Sequence, residues 1–359
     1  MVSIAPPGVL YSLAAPPASE EMRTVDQQDD GSDTRPRRLS TRPGLIWAFD
    51  MSSGQPRPIE DCDGEGTGFR WFHLNLAHQG TVEWINQLDA LPEDVRDMMI
   101  AGDNHQRALV DRGVVGCVVH DFEREFEQTE SSETGVLRFA LTARMMITAR
   151  LHPIRSPDII RQKIASGRAT IEEPGEALDL LITTIAEGIA SQLRQIGVDV
   201  QRSEDRFLDG RAPPTTRDLI HIRRMLSRAH RMVDGLGSVL RRLEEDEEIP
   251  DDVLAVAEKL SQRFQSLDAD ALGVLRQLRQ LRAEIDLSID QRTNQNLYVL
   301  SIMTALMLPA TFVTGLFGMN TGGLPWMKAP HGTLLATMLA FGVAGATYLF
   351  LRWMGFMRR

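Results

Sequence analysis

Apolar residues along this chain follow two different spacings, short runs in the first part and helical repeats in the second. The short runs predict β-strands because they alternate or stay continuous over a few residues, with two helical pieces between them. The predicted strands are 45–49, 69–76, 113–120, 137–142 and 145–151, and the predicted helices are 81–88 and 93–100. The pattern therefore predicts a mixed α/β domain, of the α+β class, over residues 44–170.

Beyond residue 170 the apolar residues recur every three or four positions, as they do on one face of a helix. Pro213 and Pro214 separate the first repeat from the second, and five acidic residues at 244–248 separate the second from the third. Such steps give a period of about 3.5, which is typical of coiled coils. We predict a helical bundle and a stalk helix over residues 171–297, although a bundle that only packs explains the first two repeats equally well.

The third helix contains no signal that would end it before a long apolar segment. Between Asp251 and Pro309 there is no other proline, and Gly273 is the single glycine. The helix would run for about 67 residues, or roughly 100 Å. Helices of this length are rare in globular domains, so we interpret it as a stalk that enters a membrane.

Two C-terminal segments are long and apolar enough to cross that membrane. Tyr298–Phe317 and Gly332–Leu351 contain no charged residue, and about 20 helical residues span roughly 30 Å of hydrocarbon. The sequence thus predicts transmembrane helices at 298–317 and 332–352, an external loop at 318–331 and a basic tail at 353–359. Arginines precede the first span and follow the second, whereas the loop between them carries Lys328 as its single Lys or Arg. Because basic residues are in excess on the cytosolic side of a membrane, both termini are expected in the cytosol, with the spans in the inner (plasma) membrane.

One face of the first span is small and mildly polar. At about 100° per residue, six positions fall within one arc of about 80°, and polar residues in spans face protein or water more often than lipid. We predict that this arc lines a pore shared by several chains; its members are Leu297, Leu300, Thr304, Leu308, Thr311 and Gly315. Alternatively, Thr304 and Thr311 bond to carbonyls of their own helix and pack against a neighbouring helix.

Composition excludes several other functions. The 39 basic and 49 acidic residues give a net charge of −10, which argues against a nucleic-acid partner.

Residues 1–43 are rich in Pro, Ser, Asp and Arg and predict a disordered leader, in which Met1–Pro17 lacks the pattern of a signal peptide. Cys62 and Cys117 form no CxxC pair, and the chain has no P-loop, GxSxG or HExxH motif, so no enzyme is predicted. A membrane-anchored scaffold that does not conduct ions is the alternative from another class.

The loop after the first span resembles a known signature. Gly318-Met319-Asn320 resembles the Gly-Met-Asn motif of CorA-type divalent cation transporters. The continuation to Pro325 is similar to the Asn-x-Gly-Gly-x-Pro of the ZntB zinc-transporter branch, through Gly322 and Gly323. Trp71–Asn75 and Leu91–Asp97 are similar to that branch as well.

The resemblance implies a homopentamer with a cytosolic funnel, embedded in membrane lipid, whose first span lines the pore. It implies transport of zinc, possible coupling to protons, and no permanently bound cofactor. Asn320 would form an outer ring that meets the hydrated ion, Gly318 would allow the tight turn behind it, and Asn294 would join the pore lining. Alternatively, Asn320 merely caps the end of the span.

Candidate metal-contacting residues are sparse. Magnesium-type members of the family usually carry acidic residues in this loop, and residues 318–331 contain none, which favours zinc over a magnesium or cobalt channel. Further candidates lie near the two membrane boundaries, where they could draw ions or carry protons; they are Glu284, Asp286, Asp290 and His331. Alternatively, the three acidic residues are solvated flanks of a coiled coil and His331 is an ordinary interfacial residue.

Overall fold

The computed structural model describes residues 44–51, 56–59, 68–124, 134–210, 214–319, 323, 325–326 and 330–355. The predicted disordered leader, residues 1–43, lies outside these ranges, as do the last four residues of the predicted basic tail.

Among the described residues, seven strands form one sheet, with three helices interspersed along the chain. In chain order the elements are β1 (Leu45–Asp50), β2 (Arg57–Pro58), β3 (Arg70–Asn75), α1 (Gln79–Asn86), α2 (Glu93–Ile100), β4 (Arg107–Asp111), β5 (Val114–Phe122), β6 (Thr134–Leu141), β7 (Met145–Arg150) and α3 (Arg155–Ala165). The strand order is β2-β1-β3-β7-β6-β5-β4, and neighbouring strands are antiparallel except β3 and β7, which run parallel. The predicted α+β class is confirmed.

The sheet carries a hydrophobic core on each face, because successive side chains of a strand point to opposite sides. In β3, Trp71 belongs to one core and Phe72 to the other. Helices α1 and α2 cover the face of Phe72 through Ile85 and Val95. The face of Trp71 packs against α3 and the long helices that follow.

Four long helices complete the described chain: α4 (Pro174–Leu208), α5 (Thr216–Glu244), α6 (Asp251–Gly318) and α7 (Gly332–Trp353). Lys259 Nζ donates to Asp179 at 3.1 Å, and farther along both helices Gln277 Nε2 donates to Glu204 at 3.1 Å. Helices α4 and α6 therefore run parallel. Helix α5 starts with a capping box, in which Thr215 and Asp218 satisfy each other's backbone N–H groups.

Helix α6 is one helix of 68 residues, which confirms that the stalk continues into the first span. Its buried residues follow the predicted spacing; they are Val253, Ala257, Leu260, Ser261, Phe264, Leu267, Ala271, Leu278, Leu281 and Ile285. From 286 to 301 every residue is exposed except the half-buried Ser288. This exposed stretch is about 24 Å long and has no lateral support within the described chain.

The apolar pattern misses β2, β4 and α3. Strand β4 reads Arg-Ala-Leu-Val-Asp, which is too short to show alternation. Helix α3 begins Arg-Ser-Pro-Asp, a sequence typical of a turn, yet a proline in a first helical turn removes no helix hydrogen bond. Burial of Ile160 and Ile164 against the sheet makes this segment helical.

A buried carboxyl group joins α3 to the sheet. Asp121 Oδ2 accepts from the backbone N–H of Ser156 at 2.8 Å, and Asp121 Oδ1 accepts from the Ser156 hydroxyl at 2.9 Å. The backbone N–H of Phe122 also donates to Asp121 Oδ1, at 2.8 Å. Burial raises the pKa of Asp121 to about 6 in spite of these hydrogen bonds.

This shift predicts a pH-dependent contribution to stability. In the folded state the Asp121 carboxyl group stays protonated up to about pH 6, whereas its ordinary pKa is 3.8. The stabilisation is therefore complete below pH 3.8 and is lost as the pH rises through the folded pKa. The free energy of unfolding falls by about 3 kcal/mol over this range. We expect the apparent melting temperature of the wild type, relative to Asp121→Asn in the same detergent, to fall between about pH 4 and pH 6.5. A difference that stays constant over this range would contradict the assignment.

Candidate ion pathway along the first membrane helix

Two helices are long and apolar enough to cross a membrane, the C-terminal part of α6 and the whole of α7. In the most apolar 18-residue stretch of α6 no residue is buried, and in that of α7 6% of the residues are buried. Core helices of soluble proteins are mostly buried, so these two helices need another apolar environment. A lipid bilayer provides it.

Helix α7 covers one side of the α6 span. The half-buried residues of that span recur at helical spacing and include Ile302, Pro309, Val313 and Phe317. On α7 the less exposed positions carry mainly small side chains, which allow two helix backbones to approach closely; they are Gly332, Ala336, Ala340, Val343, Ala344, Thr347 and Leu351. This row of small residues was not among the sequence-based predictions.

The predicted pore face lies on the opposite side of α6. Leu297, Leu300, Thr304, Leu308, Thr311 and Gly315 are all exposed, and so is Asn294 one turn earlier. At about 100° per residue, the centre of this arc lies about 180° from the centre of the face that meets α7. One chain therefore leaves this face uncovered, while its lining role stays a prediction.

Both threonines of this face use their hydroxyl hydrogens inside the helix. Thr304 Oγ1 donates to the Leu300 carbonyl and Thr311 Oγ1 donates to the Met307 carbonyl, each at 2.9 Å. This agrees with the first half of the alternative given above. The hydroxyl oxygens keep their lone pairs, so each can still accept a hydrogen bond from an ion's water shell.

The loop at the end of α6 is closed by an aromatic contact. The rings of Phe317 and Trp326 stack at a centroid distance of 6.4 Å with an interplanar angle of 6°. Trp326 has φ 65°, and a Cβ at Gly332 would lie 2.4 Å from the Trp326 carbonyl oxygen. Trp326 thus contacts the last turn of α6 through its ring and the first residue of α7 through its backbone. Sequence reasoning missed Trp326, although an aromatic residue directly after Pro325 was visible.

The predicted entry motif is described in part. Gly318 is the last residue of α6, and Met319 follows it with its backbone N–H donating to the Leu316 carbonyl at 3.3 Å. Asn320 and Gly322 lie outside the described residues, whereas Pro325 lies in a turn. Gly318 ends the helix directly before the turn, and a Cβ there would meet no atom of the chain within 4 Å, so its role in the turn stays a prediction. Among the described residues of the loop, Gly323 has a left-handed backbone, at φ 112°.

The further metal candidates do not assemble within one chain. Asp286 and Asp290 are exposed, and Glu284 accepts from Gln280 Nε2 at 3.0 Å on another side of α6. His331 is exposed at the position before α7. No group of three or more His, Cys, Asp or Glu side chains able to hold a metal occurs in the described part of the chain. Their role in ion transport stays a prediction.

Two residues of the segment Trp71–Asn75, Trp71 and His73, belong to a buried polar network. The Trp71 indole N–H and the His73 Nδ1 atom both contact Thr148 Oγ1, at 3.1 and 2.9 Å. Arg150 Nε donates to His73 Nε2 at 3.1 Å, so the imidazole proton is on Nδ1. Burial, with a smaller effect of Arg150, lowers the pKa of His73 to about 3. His73 therefore stays neutral and holds β3 to β7.

Comparison with known proteins matches nearly the whole described chain. The model of the family described as CorA-like Mg2+ transporter protein matches residues 66–353. The divalent cation transporter CmaX of Pseudomonas aeruginosa is 28% identical, over 76% of this chain and 83% of that protein. The zinc transport protein ZntB of Pectobacterium carotovorum is 25% identical, over 76% of this chain and 85% of that protein.

Solved structures share the fold. The full-length CmaX structure has a TM-score of 0.72 at 21% identity and covers 88% of this chain and 99% of its own. The complete CorA magnesium transporter from Methanocaldococcus jannaschii has a TM-score of 0.71 at 16% identity and covers 85% and 96%. Both similarities extend over more than four fifths of this chain.

Cysteine accessibility tests the uncovered face. Single cysteines at Thr304 and Thr311 should react with a water-soluble thiosulfonate at least tenfold faster than cysteines at Ile302 and Val313, which α7 partly covers. The reaction is measured in proteoliposomes by mass spectrometry. A Cys62→Ser background removes one native thiol, and Cys117 is fully buried. Equal rates around the helix would rule out the assigned face.

Proposed function

Because this chain belongs to the CorA-like Mg2+ transporter family, we propose that it carries divalent metal ions, zinc in particular, across the inner membrane. Five copies form the pore, with the α6 spans around the axis and the α7 spans outside. Residues 44–297 and both termini lie in the cytosol, and residues 318–331 lie outside. The chain acts as a transporter, without catalysis and without a permanently bound cofactor.

The uncovered face of α6 is the observation that carries this proposal. Two helices cannot enclose a polar path, and α7 occupies the side of α6 opposite Thr304 and Thr311. When copies surround a common axis, these faces meet and their hydroxyl oxygens point to one path. A scaffold without conduction would use these threonines only to bond carbonyls of their own helix and to pack against a neighbouring helix, so the flux measurement below separates the two functions.

The choice of zinc is supported by the loop and by the relatives. The loop 318–331 has no acidic residue, so it lacks the charged rings that concentrate hard cations such as magnesium. One group of relatives carries the name zinc transport protein ZntB. A magnesium or cobalt channel is the second candidate, supported by the similarity to the archaeal magnesium transporter.

Ion entry is assigned to Gly318, Met319 and Asn320. The amide oxygen of Asn320 can accept hydrogen bonds from metal-bound water, so a ring of five would receive a hydrated ion without removing its water shell. Gly323 and Trp326 shape the same loop, since one has left-handed backbone and the other links α6 to α7. Asp286 and Asp290 would draw the ion along the cytosolic side.

Flux measurements test the transport proposal. We expect liposomes that contain the purified protein to take up radioactive zinc at least tenfold faster than empty liposomes, and an inward proton gradient to increase the rate. A tenfold excess of magnesium should compete weakly. Magnesium or cobalt flux that exceeds zinc flux would favour the second candidate.

Two outcomes would overturn the proposal in different ways. Native mass spectrometry of the detergent-extracted protein should show a pentamer, and a spectrum of monomers or dimers would remove the central pore. A pentamer that carries none of the three metals would support the scaffold.

Asn320→Ala tests the entry ring. The change removes the amide oxygen, and each lost charge-assisted hydrogen bond contributes about 1.5–3 kcal/mol, so zinc flux should fall at least tenfold while the pentamer persists. If Asn320 only caps the span, the variant loses about 1 kcal/mol of local stability and transports nearly normally.

Asn320→Asp is the matched control for this position. It keeps the size and one oxygen acceptor and adds a ring of negative charge, so divalent ions should bind more tightly and leave more slowly. An Asn320→Ala protein that assembles and carries zinc at the wild-type rate would refute the motif assignment.

A further inference from the structure

Trp326, in the loop between the two membrane helices, has a backbone conformation that its own side chain disfavours. Its φ is 65°, in the left-handed region, which a bulky residue seldom adopts without support from the structure around it. Among the described residues other than glycine, Arg112 also has a positive φ, at 51°. A two-residue turn between β4 and β5, Arg112-Gly113, explains that value, because such turns need positive φ at both positions. Trp326 joins no strands, so its conformation needs a different explanation.

The backbone of Trp326 lies against the start of α7. A Cβ added at Gly332 would lie 2.4 Å from the Trp326 carbonyl oxygen and 3.5 Å from the Trp326 carbonyl carbon. A side chain at Gly332 would therefore displace the loop or the helix. Gly332 is the first residue of α7, whose first turn is closed by the Leu335 N–H donating to the His331 carbonyl at 3.1 Å. The strained residue thus contacts the beginning of the second membrane helix.

The ring of Trp326 lies against the end of α6. It stacks on the Phe317 ring at 6.4 Å between centroids, with the two planes 6° apart. Phe317 is the last residue but one of α6, where the terminal carbonyl groups lack helical partners and helices fray. Stacked aromatic rings stabilise each other beyond the area that they bury. The stack therefore restrains a helix end that would otherwise fray.

The restrained end of α6 is the part of the chain to which we assign ion entry. Gly318 and Met319 follow Phe317 directly, and the Met319 N–H donates to the Leu316 carbonyl at 3.3 Å. Phe317 also belongs to the half-buried row of α6 that faces α7. A shift of Phe317 would move Gly318 and Met319 with it, because they continue the same helical backbone. The position of the entry motif thus depends on the contact between Phe317 and Trp326.

We propose that Trp326 is a positioning residue for ion entry, whose ring holds the end of α6 while its carbonyl group holds the start of α7. This rests on the transport function proposed for the chain and adds a residue to its entry site. The left-handed backbone is a separate contribution of this position, and a glycine would adopt it more easily than tryptophan does. The aromatic ring is the contribution that glycine lacks. Substitutions can therefore separate the ring from the backbone.

Zinc flux at increasing zinc concentrations tests the role of the ring. Trp326→Gly keeps a backbone suited to φ 65° and removes the ring, whereas Trp326→Phe keeps a ring that can stack on Phe317. An entry site that is correctly oriented for only part of the time binds its ion more weakly in proportion. We expect the half-saturating zinc concentration to rise about fivefold or more in Trp326→Gly and to stay within about twofold of the wild type in Trp326→Phe. The pentamer should persist in both variants.

Phe317→Leu removes the other ring of the stack, so it should raise the half-saturating zinc concentration as Trp326→Gly does. Trp353→Gly is the matched control, because it removes a tryptophan that is 82% exposed at the far end of α7 and contacts Phe350 of its own helix. The half-saturating concentration of the control should stay within about twofold of the wild type, since substitutions of exposed residues have small effects.

A spin label measures the same contact without transport. A nitroxide attached to Met319→Cys in a Cys62→Ser background should become more mobile when either ring of the stack is removed. Its electron paramagnetic resonance spectrum should stay unchanged with Trp326→Phe or Trp353→Gly. A wild type that carries no zinc would overturn the transport function and the entry role with it, and the spectra would then show separately whether the stack holds the end of α6.

Two results would overturn the positioning role in a chain that does carry zinc. The first is a half-saturating concentration or a label mobility that stays at the wild-type value in both Trp326→Gly and Phe317→Leu. The second is an effect in Trp326→Phe or in the control that equals the effect of Trp326→Gly.

Discussion

The unbroken helical course of α6, which continues through Pro309 although that residue donates no backbone hydrogen bond, is the constraint on which the rest of this structure depends. One helix of 68 residues has to meet two environments, so its side chains change character along its length. Up to Ile285 one face packs against α4 and α5, and beyond Tyr298 the whole circumference is apolar or nearly so. Since the helix is continuous, the direction of its buried face determines the direction in which each side chain of the span points.

The second membrane helix, α7, covers only one side of the membrane span of α6. Because α7 uses small residues to approach α6 closely, it shields one side and leaves the opposite side, with its two threonines, unshielded. A membrane protein rarely exposes such a face to lipid when a protein or water surface is available. The geometry of one chain thus leaves this face open to neighbours, which agrees with membership in a family of ion transporters.

Features set by local periodicity could be predicted from the sequence, and features set by tertiary contacts could not. The long helices, both spans and five strands follow from spacing alone, and the arc of Thr304 and Thr311 follows from the helical period. Strand β4 and helix α3 were missed because their burial depends on partners far away in sequence. Trp326 and Arg138 escaped for the same reason, since the ring of one and the guanidinium of the other act on distant backbone.

The exposed stretch from 286 to 301 has a mechanical consequence. A hydrogen-bonded helix is stiff against twist, and this stretch contains neither glycine nor proline where it could bend. It is therefore a stiff helical segment, about 24 Å long, that can transmit rotation between the packed helices before it and the membrane span after it. A rotation of α6 at Ile285 would therefore be passed on to Thr304. A turn of about 40–60° would replace the threonine oxygens by the thioether of Met307, and a turn of about 80–100° in the opposite sense would replace them by the ring of Phe312.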